Sequence, residues 1–487
     1  MPCSIDLSLP APADRLPRIS RVCRLLAPLM LSAMALALAG CGGGSSKAAN
    51  PPGGGTGTPP PAPTIQEFAA DRALFFVGED ASLTARFTGG TGRIEPGIGE
   101  VQSGVPVAVR GLSGPVEFTL TVTSAAGTVS RTLALRVDYR DQYRPAADQF
   151  AAIWHTASLL PDGNVLLIGG WRGGMAPSAD FDLFDVATGE FQAMGALQVA
   201  RQYHRSVVLP DGTVLVTGGD SWLGETPSAE LVDPDTGNVR DAGEPVESRS
   251  DHSATLLPDG RVLLVGGIGT DGDEALGISN SAEIWDPASE TFRRVEGRMS
   301  VARVGHAAAL LPDGRVLVVG GWTMDTDYVL AEVFDPATET FSPVPSPDDR
   351  VRLEHTVLQL DDGSVLVMGG GVLADDPLAG LLPSSSVLRF FADGTGAEVL
   401  PELAGPRALA VGGLADNGRA YLFGGMADWQ PTARAESYSP DQGSTAIASL
   451  PFARYSHTVT RLADGRMLIA GGENDTMELI PLALIYE

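Results

Sequence analysis

A Gly-Gly pair recurs seven times, at Gly169-Gly170, Gly218-Gly219, Gly266-Gly267, Gly320-Gly321, Gly369-Gly370, Gly424-Gly425 and Gly471-Gly472. Successive pairs are 49, 48, 54, 49, 55 and 47 residues apart. Nothing else in the sequence restricts the fold as strongly. A fixed period of this length marks copies of one supersecondary unit, each burying its apolar face only against its neighbours. Every copy has the same local grammar: an apolar run such as ATLL, an Asp-Gly, then a second apolar run such as VLLVGG. Six copies carry Asp-Gly, from Asp162-Gly163 to Asp464-Gly465, and one carries Asn417-Gly418. Such a dipeptide between apolar runs predicts a hairpin with a type I′ turn, whose two central residues both need positive φ. The Gly pair then ends the second strand where no Cβ fits or the backbone turns sharply. A third strand (AEVF, AEIW), a DPATE- or DPASE-type turn and a fourth strand with Phe or its substitute complete a four-stranded sheet per copy.

The last copy stops at Ile485-Tyr486-Glu487 without a fourth strand. The segment Asp138–Arg144, just ahead of the first copy, is expected to supply it and close a ring with few exposed edges. The stretches RVGHAAALLPDGRVLVVGG…AEVFDPATETF and RSDHSATLLPDGRVLLVGG…AEIWDPASETF resemble the kelch β-propeller family, in particular its galactose-oxidase-like branch with the PDG turn. The resemblance covers residues 139–487 and implies an all-β, seven-bladed kelch propeller, or six blades if the degenerate sixth copy does not pair.

Ahead of the repeats, residues 64–138 read as short alternating strands (ASLTARF, VPVAVRGL, VEFTLTV, TVSRTLALRV), antiparallel and half-buried. Six or seven such strands resemble an immunoglobulin-like or PKD-like β-sandwich, for which a spacer is the natural role. Residues 42–63 are Gly, Ser and Pro with almost no apolar side chain, hence a linker. Residues 1–40 hold Arg15, Arg18, Arg21 and Arg24 before a 15-residue apolar stretch, Leu25 to Ala39, too short for a comfortable membrane span. The sequence Leu38-Ala39-Gly40-Cys41, followed by Gly and Ser, resembles a bacterial lipoprotein signal. That resemblance implies cleavage before Cys41, lipid attachment to its thiol, and a place in the cell envelope at the outer membrane. Several acyl chains, at about 0.8 kcal/mol per buried CH₂, anchor a protein firmly.

With 60 acidic against 33 basic residues the net charge is −27, which argues against nucleic acid or an anionic membrane surface as partner. Only three Cys occur, and the one that survives signal removal is Cys41, so no disulfide scaffold forms.

All six His stand fifteen residues before the second Gly of a pair: His155, His204, His252, His306, His355 and His457, with Ala410 in the remaining copy. Three residues earlier stand Arg201, Arg249, Arg303, Arg352, Arg407 and Arg454, with Ala152 in the first copy. A metal or catalytic constellation breaks symmetry, whereas these His are spread one per copy, which predicts hydrogen bonding between blades. The Arg set reads either as ion pairs with the Glu of the AE dipeptide (Glu230, Glu283, Glu332, Glu436) or as a basic collar at the channel mouth that grips an acid.

The loops from second to third strand are long and varied, and lie at the same end as those from fourth to first. They hold Trp171, Trp222, Trp322 and Trp429, candidate ligand anchors, or else caps of the interior. Acidic residues accompany them: Asp220, Asp271, Asp273, Glu274, Asp325, Asp327, Asp375, Asp376 and Asp428. The run 271–274 is too short for a calcium loop.

The galactose-oxidase branch implies a copper radical site with a Cys–Tyr crosslink, two His and a second Tyr. No Cys follows Cys41 and every His belongs to the repeat, so this chain departs from that pattern. Nucleophile-elbow, zinc-helix and phosphate-loop motifs are missing too. The expectation is no catalytic residue, metal or cofactor. The chain reads as a membrane-anchored recognition propeller that binds a protein or a glycan through its loop face. The alternative is a cofactor-free enzyme resembling sialic-acid mutarotases, with Arg, Glu and His at the channel mouth.

Overall fold

The computed structural model describes residues 61–487, apart from 222–223, 227, 270–276, 325–327, 349 and 374–380. The signal, Cys41 and the linker through residue 60 lie outside the described residues. So do Trp222, Asp271, Asp273, Glu274, Asp325, Asp327, Asp375 and Asp376. All regular elements among the described residues are strands. The chain divides into two compact units, one ending at Arg140 and one formed by Asp141–Ala463 and Met467–Tyr486.

The first unit contains two sheets. Thr64–Ala70, Ala81–Thr88 and Val107–Val109 form a three-stranded one. Leu74–Phe76, Gly127–Asp138, Val116–Ser124, Thr91–Glu95 and Gly99–Val101 form a five-stranded one. Eight strands thus occupy the segment read as six or seven, because Leu74–Phe76 and Gly99–Val101 are too short to show an alternation. One pair differs in direction as well: Leu74–Phe76 runs parallel to Gly127–Asp138. The alternation elsewhere is real, with Ala81, Leu83, Ala85 and Phe87 buried along one face of their strand.

The second unit is a β-propeller. Among its described residues are seven four-stranded antiparallel sheets, here numbered as blades in chain order, with strands a to d from the inside out. Blade 1 comprises Thr156–Leu159, Val165–Ile168, Asp180–Asp185 and Glu190–Ala196. The innermost strands of blades 2 to 7 are Arg205–Val208, Ser253–Leu256, Ala307–Leu310, Thr356–Gln359, Val411–Leu414 and Tyr455–Arg461. Each neighbours the next, and that of blade 7 neighbours that of blade 1, so the ring is closed. Blade 7 takes its outer strand from Tyr143–Gln149, with Tyr486 opposite Tyr143 and Leu482 opposite Gln149. The closing strand therefore starts five residues later than the expected Asp138–Arg144. Its partner is Leu482–Tyr486, the third strand of the last copy.

Strand b is buried on both faces in every blade, as in Val165–Ile168, Val262–Val265 and Val316–Val319. Each sheet is sandwiched between two others, and a continuous apolar run is what a two-sided strand requires. The cores lie between blades. Leu257, Leu263, Val265 and Ile284 of blade 3 pack on Val316, Val318 and Phe334 of blade 4. Leu468, Ala470, Ala483 and Ile485 of blade 7 pack on Val165, Leu167 and Phe184 of blade 1.

The hairpin tips differ from the expected type I′. In blade 1 the Gly163 N–H donates to Leu160 O (3.0 Å) and Leu160 N–H to Asn164 O (2.8 Å). Gly163 has φ +92°, whereas Asp162 is not among the positive-φ residues. This is a three-residue loop, a type I turn followed by a left-handed Gly. In four of the seven copies the sequence carries a reason: Pro161, Pro210, Pro258 and Pro312 precede the Asp, and a proline there has no N–H to pair with the residue after the Gly, as a two-residue loop requires.

Candidate functional site

The repeated His, Arg and Gly residues form one device that joins neighbouring blades. The N–H of the second Gly donates to the backbone carbonyl of the next blade's Arg: Gly170 to Arg201 (2.9 Å), Gly321 to Arg352 (2.8 Å), Gly425 to Arg454 (2.8 Å). At the seam Gly472 donates to Ala152 O, 2.9 Å, so the pattern survives the missing Arg. The first Gly leaves room for the next blade's imidazole: a Cβ on Gly218 would lie 2.2 Å from Arg249 O and 2.8 Å from His252 Cε1. It also has φ +57°, so both reasons expected for glycine there apply.

The imidazoles reach back to the preceding blade. His155 Nε2 is hydrogen-bonded to Thr458 Oγ1 (3.1 Å), His204 Nε2 to Thr156 Oγ1 (3.1 Å), His252 Nε2 to Thr217 Oγ1 (3.0 Å) and His306 Nε2 to Ser253 Oγ (2.9 Å). Burial holds His204 and His252 well below the ordinary imidazole value, and His457 down to about 3. They are neutral, structural groups.

The six Arg do not form an accessible collar. Arg201, Arg249, Arg303, Arg352 and Arg454 are 0% exposed and Arg407 1%. Four pair with the strand-c Glu: Arg201–Glu230 at 2.6 Å, Arg249–Glu283 at 2.7 Å, Arg303–Glu332 at 2.8 Å and Arg407–Glu436 at 2.7 Å. Five also donate through Nη1 to the carbonyl of the first Gly of their own blade, as Arg249 does to Gly266 O at 2.8 Å. The collar reading fails because each guanidinium turns into its own sheet, where a carboxylate, backbone carbonyls or both take it up. The mutarotase alternative loses its Arg, Glu and His for the same reason.

Departures from the repeat are repaired locally. Blade 5 has Leu388 where four others have Glu, and Arg352 pairs instead with Asp348 at 2.8 Å. Blade 1 has Ala152 for Arg, and Arg172 enters from the b–c loop to meet Asp182, which holds the Glu position, at 2.6 Å. Arg454 donates to Gly471 O (3.0 Å) and Leu482 O (3.1 Å), and burial lowers its pKa to about 10.

Where b–c and d–a connections end, the residue before each repeat His or its Ala410 equivalent adopts positive φ: Trp154, Tyr203, Asp251, Gly305, Glu354, Leu409 and Ser456, at 52 to 64°. Some of these residues are linked across blades, Asp251 N–H donating to Tyr203 O (3.0 Å) and Leu409 N–H to Glu354 O (2.9 Å). Their side chains break the symmetry that the backbone keeps. Trp154 stacks on Tyr203 with centroids 4.9 Å apart, and Arg205 Nη2 lies 3.6 Å from Asp251 Oδ1.

Of the Trp proposed as anchors, Trp171, Trp322 and Trp429 are half-buried. Trp171 Nε1 donates to Gly174 O (2.7 Å) within its own loop, and Trp429 Nε1 to Leu381 O (3.0 Å) in the blade 5 loop. These two indoles hold loops in place, and their polar handles are spent. The exposed apolar surface comes from residues that the sequence did not single out: Met175 (88%), Met324 (56%), Leu382 (49%) and Met477 (73%) on b–c loops, and Val246 (49%) and Phe452 (53%) on d–a loops. Only two other large apolar side chains are exposed among the described propeller residues, Phe391 and Val399. A lone Met in a loop has no periodic signal, so nothing in the sequence could have marked this set.

Residues 303–347 match the Kelch motif. No curated protein matches the chain. A solved fungal alcohol oxidase of the AA5 family, in complex with copper, is similar with a TM-score of 0.59 and 17% identity, over 71% of this chain and 76% of that one. The likeness supports a galactose-oxidase-like propeller fold. The residues here do not fit such a copper centre: the propeller has no Cys, and its His are bound up between blades. Among the described residues no group of three or more His, Cys, Asp or Glu is placed to hold a metal ion.

Proposed function

We propose that this chain is an envelope-anchored docking protein whose propeller binds a protein partner on the face made by its b–c and d–a loops. One observation carries the reading: six of the eight exposed large apolar side chains among the described propeller residues sit on that face. Exposed apolar groups gathered at one end of a rigid scaffold mark an interaction surface. The Kelch motif agrees with such a role. A protein is favoured over a glycan because the exposed groups are mostly aliphatic, while the two tethered indoles have their N–H groups engaged inside the loops. Cys41 serves as the lipid attachment point, residues 42–63 as the tether and the two-sheet unit as a spacer of immunoglobulin-like type.

Photo-crosslinking in the native envelope tests the docking face. A crosslinking residue at position 324 should give discrete protein adducts, and one at position 399 on an outer strand should not. Equal adducts at both, or glycan adducts alone at 324, would overturn it. Incorporation of labelled palmitate that persists in Cys41→Ser would remove the anchor.

A further inference from the structure

We infer that the loop face takes a basic amphipathic segment of its partner, one that sets Lys or Arg among apolar side chains. This rests on the docking reading above and adds the chemistry of the partner. Three of the six exposed apolar residues are Met, at positions 175, 324 and 477. Unbranched thioethers adapt to varied apolar shapes, which suits a segment that arrives flexible and is ordered on contact. Between them the face is acidic. Among the described residues, Glu244, Glu296, Glu402, Asp428, Asp475 and Glu478 are exposed on its loops, against the exposed basic residues Arg298 and Arg350.

Both of those Arg are already engaged, Arg350 with Asp348 at 2.9 Å and Arg298 with Asn280 Oδ1 at 2.9 Å. At the other end three hairpin tips present closed pairs, such as Arg261–Asp259 and Arg315–Asp313, each at 2.7 Å, while Asp162 and Asp211 bond only to the neighbouring Asn164 and Thr213. What sets the loop face apart among the described residues is that its unmatched negative charge lies among six of the eight exposed large apolar side chains of the propeller. The far field has the same sign: a net charge of −27 draws cationic segments in and repels acidic ones and a second copy of this chain.

The experiment selects displayed random 12-residue peptides on the full chain and titrates the enriched ones by fluorescence anisotropy. Wild type is compared with Met175→Ser/Met324→Ser/Leu382→Ser/Met477→Ser and with the outer-strand control Val399→Ser. Enriched peptides should be cationic with interspersed apolar residues. The fourfold variant should weaken them at least tenfold, about 1.4 kcal/mol, while the control stays at wild-type affinity. Raising salt from about 50 to 300 mM should weaken them further, as screening requires. Tryptophan fluorescence verifies that each variant is folded. Neutral or acidic peptides that still lose affinity in the fourfold variant would overturn this inference and leave the docking reading intact. Selection of no peptide sensitive to that variant would overturn both.

Discussion

Replacing Arg303 by Met should destabilise the propeller by about 3–5 kcal/mol, because it leaves a buried carboxylate without its counter-charge. Arg303 Nη2 lies 2.8 Å from Glu332 Oε2, and the two side chains are 0% and 1% exposed. At an effective dielectric of 20 that separation gives about 6 kcal/mol of attraction, against a desolvation cost of several kcal/mol for each ion. The guanidinium also donates to Gly320 O (2.9 Å), Leu330 O (3.2 Å) and Val329 O (3.0 Å), and these lose a donor together. Glu332 keeps one compensation, the Ser300 N–H at 2.9 Å. Glu332→Gln preserves that bond and removes the charge. The double variant Arg303→Met/Glu332→Gln should therefore lose at least about 1.5 kcal/mol less than the two single losses combined, within the range measured for contacting residues. Equilibrium urea unfolding followed by indole fluorescence measures it. All six Trp lie between positions 154 and 429, so the signal reports the propeller and not the N-terminal unit. A loss below about 0.5 kcal/mol for Arg303→Met would refute the reasoning and return the guanidinium to a solvated channel mouth.

The acid side of the stability profile follows from the neutral imidazoles. In the unfolded chain His204, His252 and His457 titrate near 6.5, while burial keeps the native forms well below that, His457 at about 3. Above pH 6.5 these three contribute no slope; below it the unfolded chain binds protons that the native state refuses. Stability should then fall by about 1.4 kcal/mol per pH unit for each, about 4 for the three, and urea midpoints unchanged between pH 6.5 and 5 would contradict it. Gly218→Ala, which sets a Cβ 2.2 Å from Arg249 O at φ +57°, should cost more than 3 kcal/mol or abolish soluble expression. Gly260→Ala, at φ +88° with open space around it, should cost about 1 kcal/mol, and equal losses would sink the packing account. Tyr486→Ala should cost about 3–5 kcal/mol, since a side chain 1% exposed that donates to Asp141 Oδ1 (3.0 Å) and packs on Tyr143 and Phe423 is lost from the closing blade. A denaturation midpoint equal to wild type would show that the ring closes without it.

Much of the architecture is legible in one dimension because it repeats. Period, hairpin dipeptides and apolar runs are local properties, so the propeller, its blade order and the capture of an early strand by the last blade can be read from the residues alone. The expected type I′ turn was wrong although part of the evidence was local: in four copies Pro161 and its equivalents lack the N–H that would close a two-residue loop. The His were readable as structural because a sevenfold pattern leaves no asymmetric centre. Ala152 with Arg172, and Leu388 with Asp348, were not readable, since each repair joins residues whose kinship appears only once the loop folds back on the sheet.

The direction in which a side chain faces is what the tertiary structure alone decided. The sequence marks Arg201, Arg249, Arg303, Arg352, Arg407 and Arg454 as equivalent but does not say whether they face the channel or the sheet. The strand-c carboxylates and the carbonyls of the first Gly, brought within 3 Å by sheet pairing, settled that for burial. Conversely Trp171 and Trp429 look like anchors in a list of residues and prove to be tethered, Trp171 by its own loop and Trp429 by that of blade 5, while Met175, Met324 and Met477 carry no pattern and stand in solvent. Repetition writes the fold into the chain because each unit needs the same neighbours. Exposure is a property of the assembled ring, and no single unit contains it.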